Sequence, residues 1–316
     1  RSDQPSCPAT HLKFNRAMKI AFLLTQLEAG GAQTRVFQTA HELRARGHTV
    51  DVYFFYTKRD SFFDEEKQIL SLRRGGRSLI DAIPRLMAQL KQGRYDVFIS
   101  NTAPANIFGN TIAFFAGIGV RAAWQTQPPQ RLPLSYRVLD LIAGCLPIYQ
   151  TNIANSDWNR ACFDNYPEIY KRKIRIIKDG IASRNLGISR DAARSEIGLP
   201  PDRFIFSTVG RLSAQKGQDT VIKALRDVPG SLLLIIGSGE LEAELRELAT
   251  STGVQDRVRF CGEVSGEAVS RHLHASDAFL FPSRWETFGL AVVEACTIGL
   301  PVIASDIEVL REVLRD

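Results

Sequence analysis

Three segments of the chain gather residues whose types and spacing could hold a negatively charged ligand. In the first, Gly210-Arg211-Leu212-Ser213-Ala214-Gln215-Lys216-Gly217, two cations lie within one short glycine-bounded loop. The loop ends where a helix begins, so Arg211, Lys216 and the helix N-terminus could converge on one anion. Surface cations are usually just solvated, but here the charges and the helix dipole agree in sign. In the second, Glu286-Thr287-Phe288-Gly289-Leu290-Ala291-Val292-Val293-Glu294, one carboxylate precedes a helix opened by Gly289-Leu290 and the other lies on it. The two can therefore face one ligand from different elements. A carboxylate among Val292, Val293 and Ala295 is costly to bury without a partner, and ligand hydroxyls are natural partners. The plainer readings are a helix cap for Glu286 and a solvated helix face for Glu294; the free N–H groups at Phe288, Gly289 and Leu290 favour the ligand. The third is Gly30-Gly31 ahead of a helix, where paired glycines let the backbone approach a diphosphate closely. A simple turn explains that pair equally well, and without G-x-G-x-x-G spacing a dinucleotide is not favoured.

The elements that must position these segments alternate strand and helix. Met18 to Leu24 is a continuous apolar run, as in a strand buried on both faces of a parallel sheet. A helix over Ala32 to Arg46 follows, with Val36, Phe37, Ala40 and Leu43 at helical spacing and Gly47 at its end. Thr49 to Phe55, Tyr95 to Ser100, Val120 to Gln125 and Ile148 to Asn155 continue one sheet. Lys178 to Arg203 is poor in apolar runs and holds Pro200-Pro201, after which the alternation restarts at Phe204 to Val209. Further strands are expected at Leu232 to Ile236, Val258 to Phe260, Ala278 to Phe281 and Pro301 to Ala304. The expected organisation is a polar tail over 1–17, a domain over 18–180, a linker over 181–203 and a second domain over 204–316. The fold class is α/β, with two Rossmann-like, doubly wound parallel-sheet domains facing a central cleft. The second sheet breaks off in mid-unit, so the C-terminal domain is expected to be incomplete.

Composition excludes more than it selects. Hydrophobic residues make up 44% and charged residues 23%, ordinary globular values that exclude a disordered or fibrous chain. The net charge of +6 favours anionic partners without choosing among them. No concentrated basic stripe with interleaved aromatics is present, so a nucleic-acid partner is not expected. Five scattered cysteines without a C-x-x-C pair argue for reduced thiols in a cytoplasmic setting and against a zinc site. The longest apolar stretches fall short of the roughly 18 residues of a membrane span. Peripheral contact with the inner, anionic face of a membrane is an expectation for the basic region Arg73-Arg74-Gly75-Gly76-Arg77 with Arg85, Lys91 and Arg94, against the plainer reading of solvated helix faces.

Gly-Arg-Leu-x4-Gly with a lysine before the last glycine, followed by Pro-Ser-x2-Glu-x-Phe-Gly-Leu-x3-Glu, closely resembles the family 4 (GT4) retaining glycosyltransferases of GT-B fold. Gly30-Gly31-Ala32 and the Gly299 to Ser305 strand (Gly-Leu-Pro-Val-Ile-Ala-Ser) fit the same pattern. The resemblance runs from about Met18 to the end and is specific over Gly210 to Ser305. It implies an enzyme of the hexosyltransferase type (EC 2.4) that moves a sugar from a nucleotide-diphosphate sugar, UDP- or GDP-linked, to a glycan, lipid-linked or small-molecule acceptor, as in polysaccharide biosynthesis. It implies that Arg211 and Lys216 hold the diphosphate, that Glu294 binds the ribose and that Glu286 contacts sugar hydroxyls. The backbone of Phe288, Gly289 and Leu290 would lie near sugar and phosphate, Gly30 and Gly31 would approach from across the cleft, and the backbone around Val264 would meet the base. No cofactor or metal is required on this reading, and no Asp-x-Asp cluster is present.

Two departures from the pattern stand out. Relatives carry a histidine after the fourth strand of the first domain, whereas this chain reads Trp124-Gln125-Thr126-Gln127-Pro128-Pro129-Gln130 there. Gln125 or Gln127, with Gln127 preferred, would take the polar contact; a glutamine hydrogen-bonds a hydroxyl but does not shuttle a proton. The hinge reads Lys178-Asp179-Gly180-Ile181 instead of Pro-Asn-Gly. Competing readings are a GT-B nucleotide-sugar epimerase and a non-catalytic nucleotide-sugar-binding module.

Overall fold

The computed structural model describes residues 16–27, 30–57, 70–71, 78–181 and 186–315. The tail over 1–15, Glu28 and Ala29 before the glycine pair, the Arg73–Arg77 stretch and linker residues 182–185 lie outside the described residues. The first sheet comprises β1 (Lys19–Leu27), β2 (Thr49–Thr57), β3 (Leu70–Ser71), β4 (Val97–Asn101), β5 (Val120–Gln125), β6 (Thr151–Ala154) and β7 (Ile174–Ile176). Its order is β3-β2-β1-β4-β5-β6-β7, and every pairing is parallel. The apolar run of β1 divides between the two faces. Ala21 and Leu23 pack under α2 (Ser78–Gly93) and α3 (Asn110–Phe115), whereas Ile20, Phe22 and Leu24 pack under α1 (Gly31–Ala45). Both faces are covered, which is why the run shows no alternation. The strand expected from Ile148 starts only at Thr151, because Tyr149 and Ile148 fill the core beside α4 (Leu134–Cys145) instead of pairing.

α5 (Asp157–Ala161) and α6 (Glu168–Lys171) lead to β7, and α7 (Arg190–Glu196) lies within the stretch read as linker. The second sheet holds β8 (Ile205–Val209), β9 (Leu232–Ile236), β10 (Val258–Gly262), β11 (Ala278–Phe281) and β12 (Val302–Ala304), in parallel order β10-β9-β8-β11-β12. Its helices are α8 (Gln218–Leu225), α9 (Glu242–Ser251), α10 (Gly266–His274), α11 (Leu290–Thr297) and α12 (Glu308–Val313). β8 and β11 are neighbours, and each is followed directly by one of the two charged segments. In each sheet the strand order reverses beside the first strand, the place where open α/β sheets bind ligands at their carboxyl ends.

Candidate active site

The loop from β8 to α8 is shaped by its closing glycine. Gly217 caps α8 with φ of 66° in the left-handed region, and a Cβ there would run into the Pro282 carbonyl of the neighbouring loop. Only glycine permits that approach, which sets the β8 and β11 loops against each other. As a consequence Lys216 reaches across: its Nζ donates to Glu286 Oε1 at 2.6 Å, and it lies 5.1 Å from the Phe281 ring centroid. Glu286 is buried and Lys216 mostly so, which makes this charge-assisted bond stronger than a surface pair. Arg211 lies further out, its Nε donating to Glu240 Oε2 at 3.1 Å in an exposed ion pair worth at most about 1 kcal/mol.

Gly289 caps α11 with φ of 96° and lies against Leu310 and Phe281 of the second core, and Phe288 beside it is buried. α11 starts four residues after Glu286, and the Gly289 carbonyl accepts from the Val292 N–H of its first turn at 3.0 Å. Glu294 lies further along α11 and lines a shallow depression with Gly266, Val269 and Ser270 of α10. Val264, half-buried, stands two residues before that helix. The structure thus brings Lys216 and Glu286 together just before the start of α11, and sets Glu294 against the first residues of α10.

The first domain closes the cleft from the other side. Gly31 begins α1, and a Cβ on it would sit 3.3 Å from Leu290 Cδ1. The glycine pair therefore faces the α11 N-terminus across the cleft. Thr287, next to Glu286, is held by groups of the first domain: Ser156 Oγ donates to its carbonyl at 2.9 Å, and its hydroxyl donates to the Thr126 carbonyl at 3.4 Å. Arg131 stacks over Trp285 at 5.6 Å, and Glu312 of α12 accepts from the Asp157 and Trp158 N–H groups, both at 2.9 Å.

The two glutamines separate cleanly. Gln125 is buried, its amide donating to Asp140 at 3.2 Å and to Asn152 and Tyr170 at 3.3 Å; it belongs to the core and not to the cleft. Gln127 is exposed one residue beyond Thr126, in the loop that meets Thr287. Of the two, the geometry leaves Gln127 at the cleft.

A buried ion pair, invisible as a motif, underlies this arrangement. Arg35 of α1 donates through Nη1 to Asp179 Oδ1 at 2.9 Å and Oδ2 at 2.7 Å, and its guanidinium stacks 4.1 Å from the Trp124 ring centroid. Burial lowers the Arg35 pKa from its ordinary value, and the Asp179 charge and hydrogen bond oppose that shift. Asn155 donates to Asp179 at 3.0 Å and approaches the Thr287 hydroxyl at 3.5 Å. The hinge aspartate thereby ties α1, β6 and the Glu286 loop together. The signal that points to it is an arginine inside the buried stripe of a helix, beside Val36.

Cysteine chemistry finds little support, since burial pushes the Cys162 and Cys261 thiols up to about 11 and keeps them protonated at neutral pH. Among the described residues no three His, Cys, Asp or Glu side chains are grouped as metal ligands would be, and no helix is long and apolar enough to cross a membrane.

Two family models match the chain, the Glycosyltransferase Family 4 model over residues 29–184 and the Glycosyl transferases group 1 model over 189–316. A UDP-Gal:alpha-D-GlcNAc-diphosphoundecaprenol alpha-1,3-galactosyltransferase of Escherichia coli is 28% identical over 75% of this chain and 64% of its own length. A D-inositol 3-phosphate glycosyltransferase of Mycolicibacterium smegmatis is 38% identical over 40% of this chain and 31% of its own. The matches thus span from about a third to just under two thirds of these relatives' lengths. Anabaena HepE, solved with UDP-glucose, superposes with a TM-score of 0.78 at 23% identity, covering 93% of this chain and 82% of that one. WaaG, a glycosyltransferase involved in lipopolysaccharide biosynthesis, superposes with a TM-score of 0.75 at 20% identity, covering 94% of this chain and 84% of its own. With a parallel-sheet domain under each family model and a shared cleft between them, the chain belongs to the GT4-type glycosyltransferases of GT-B fold.

Proposed function

We propose that this chain transfers a sugar, with retention at the anomeric carbon, from a nucleotide-diphosphate sugar to a glycan, lipid-linked or small-molecule acceptor. The observation that carries the reading is the Lys216 ammonium on the Glu286 carboxylate at the N-terminus of α11, facing Gly31 across the cleft. On this reading Lys216 and Arg211 take the charge that builds on the departing diphosphate, and the helix N-terminus adds to them. Glu286, already a hydrogen-bond acceptor in place, takes sugar hydroxyls. Phe288, Gly289 and Leu290 supply backbone N–H groups, and Glu294 with the backbone at Val264 takes the nucleoside. Gly30 and Gly31 close on the diphosphate, and Gln127 contacts the sugar from the first domain. The donor domain is 204–316, the acceptor domain 18–180 and the linker between them 181–203. Uracil is the favoured base, since the similar HepE was solved with UDP and with UDP-glucose. No metal is required on this reading. The enzyme is placed at the cytoplasmic side, where nucleotide sugars are the donors and lipid-borne acceptors are within reach.

Calorimetric titration with UDP, GDP and ADP, with and without magnesium, tests this. One saturable, metal-independent ligand is expected. Lys216→Ala and Glu294→Ala should each weaken it about tenfold or more, the worth of one charge-assisted hydrogen bond. Unchanged affinity in both variants would mean that the donor site lies elsewhere. Binding without transfer to any acceptor would leave a non-catalytic module.

A further inference from the structure

We propose that Ser156, reaching over from the first domain, is a positioning residue that turns the Thr287–Phe288 peptide so that the Phe288 N–H meets the bound donor. The proposal rests on the transferase reading above. Ser156 is fully buried and is the N-cap of α5, its Oγ accepting from the Asn159 N–H at 3.0 Å. Capping takes one lone pair and leaves the hydroxyl proton, which goes to the Thr287 carbonyl at 2.9 Å. That second bond is the one a cap does not need. The Thr287–Phe288 peptide is trans and planar, so its N–H points opposite to its carbonyl. A donor fixed on the carbonyl therefore sets the direction of the N–H and polarises it. Among the described residues nothing accepts from the Phe288 N–H, although its side chain is buried. An unmatched backbone donor two residues after the Lys216–Glu286 pair is completed by an acceptor on the ligand, a phosphate or hydroxyl oxygen.

Ser156 can act across the cleft because α5 is seated on the other domain. By sequence α5 follows β6 of the first sheet, yet Trp158 packs against the second-domain cluster that contains Phe279, Phe281, Val309 and Leu310. Glu312 of α12 accepts from the Asp157 and Trp158 N–H groups at 2.9 Å each, so a second-domain carboxylate satisfies two first-turn donors of a first-domain helix. Phe281 and Leu310 of that cluster also stand against Gly289, and Lys216 lies over the Phe281 ring. One scaffold thus carries both α5 and the loop that Ser156 touches. From the other side Asn159 ties α5 to its own domain, donating to the Gln125 carbonyl at 2.9 Å and to Asn155 at 2.8 Å. The hydroxyl of Ser156 is held from both domains at the point where it meets Thr287.

Calorimetric titration of the full chain with UMP and with UDP-glucose tests the proposal. UMP probes the nucleoside end, read above at Glu294 and Val264, which Ser156 does not touch. Glycine opens a helix nearly as well as serine but donates nothing, and threonine makes both bonds. Ser156→Gly should weaken UDP-glucose about tenfold, the worth of one hydrogen bond, and leave UMP affinity unchanged. Ser156→Cys, similar in size with a weak donor, should lose part of the same affinity, and Ser156→Thr should restore it. A ratio of UDP-glucose to UMP affinity that neither Ser156→Gly nor Ser156→Cys changes would overturn the positioning role. So would an equal loss of both ligands, which marks a folding role only, or a Ser156→Thr no better than Ser156→Gly. Wild type that binds neither ligand would overturn the UDP-sugar reading itself, and the proposal with it.

Discussion

Replacing Asp179 by alanine removes the only acid paired with Arg35 among the described residues and leaves a guanidinium sealed in the protein. The Arg35 and Asp179 side chains are 5% and 1% exposed. An uncompensated charge at that depth costs about 3–5 kcal/mol, and Asn155, whose amide also loses its acceptor, adds about 1 kcal/mol. With a urea slope of about 1–3 kcal/mol/M, the midpoint should fall by at least about 1 M. Tryptophan fluorescence is the probe of choice, because Trp124 lies directly under the Arg35 guanidinium. Arg35→Met with Asp179→Leu removes both charges at similar volume and should recover most of the loss. A cost for Asp179→Ala below about 1 kcal/mol, or a double variant no better than the single one, would refute the ion pair as a buried clamp.

The β8–α8 loop and the core of the first domain each yield one more test. Gly217→Ala forces a left-handed φ on alanine and drives its Cβ into the Pro282 carbonyl, so it should cost more than about 2 kcal/mol and weaken UDP binding as Lys216 is displaced. Gly253→Ala, at φ of 70° with open space around it, is the control and should cost only about 1 kcal/mol by urea unfolding; equal costs would sink the close-approach argument. Burial raises the Asp140 pKa, and the hydrogen bonds from Tyr170, Gln125 and Tyr149 only partly offset it. A raised carboxyl contributes stability that is present below its unfolded value and lost as pH rises through the folded one. Asp140→Asn should therefore gain on wild type in urea unfolding as pH rises from about 4 to 7, and a difference that shrinks over that range would contradict it.

Much of the candidate site's local geometry was legible because its parts are local. A strand that is apolar throughout, a glycine where the chain must turn left-handed, and a charged residue a fixed number of positions into a loop are consequences of backbone sterics and of the sheet's two covered faces. Those conditions operate within about ten residues, so Gly210 to Gly217 and Glu286 to Glu294 could be placed from spacing. The helical stripe of α1 was likewise legible from Val36, Phe37, Ala40 and Leu43, but the burial of Arg35 beside it was not, because its partner Asp179 lies 144 positions away.

What the tertiary structure alone decided are the relations between segments distant in sequence. Arg35 meets Asp179 across 144 positions, Lys216 meets Glu286 across 70 and Ser156 meets Thr287 across 131. No local propensity encodes these, because they arise where separate strands end side by side. The two glutamines differ for the same reason: Gln125 still belongs to β5 and is drawn into the core by Asp140, whereas Gln127 has left the strand. The outward turn of α4 is the clearest case. Its composition reads as a core helix, and only the burial of Asp140 against Tyr149, Tyr170 and Gln125 rotates Leu134, Val138 and Ile142 to the solvent. A helix buries the face whose unmet hydrogen bonds would cost most, and that depends on what lies beneath it, which sequence periodicity does not contain.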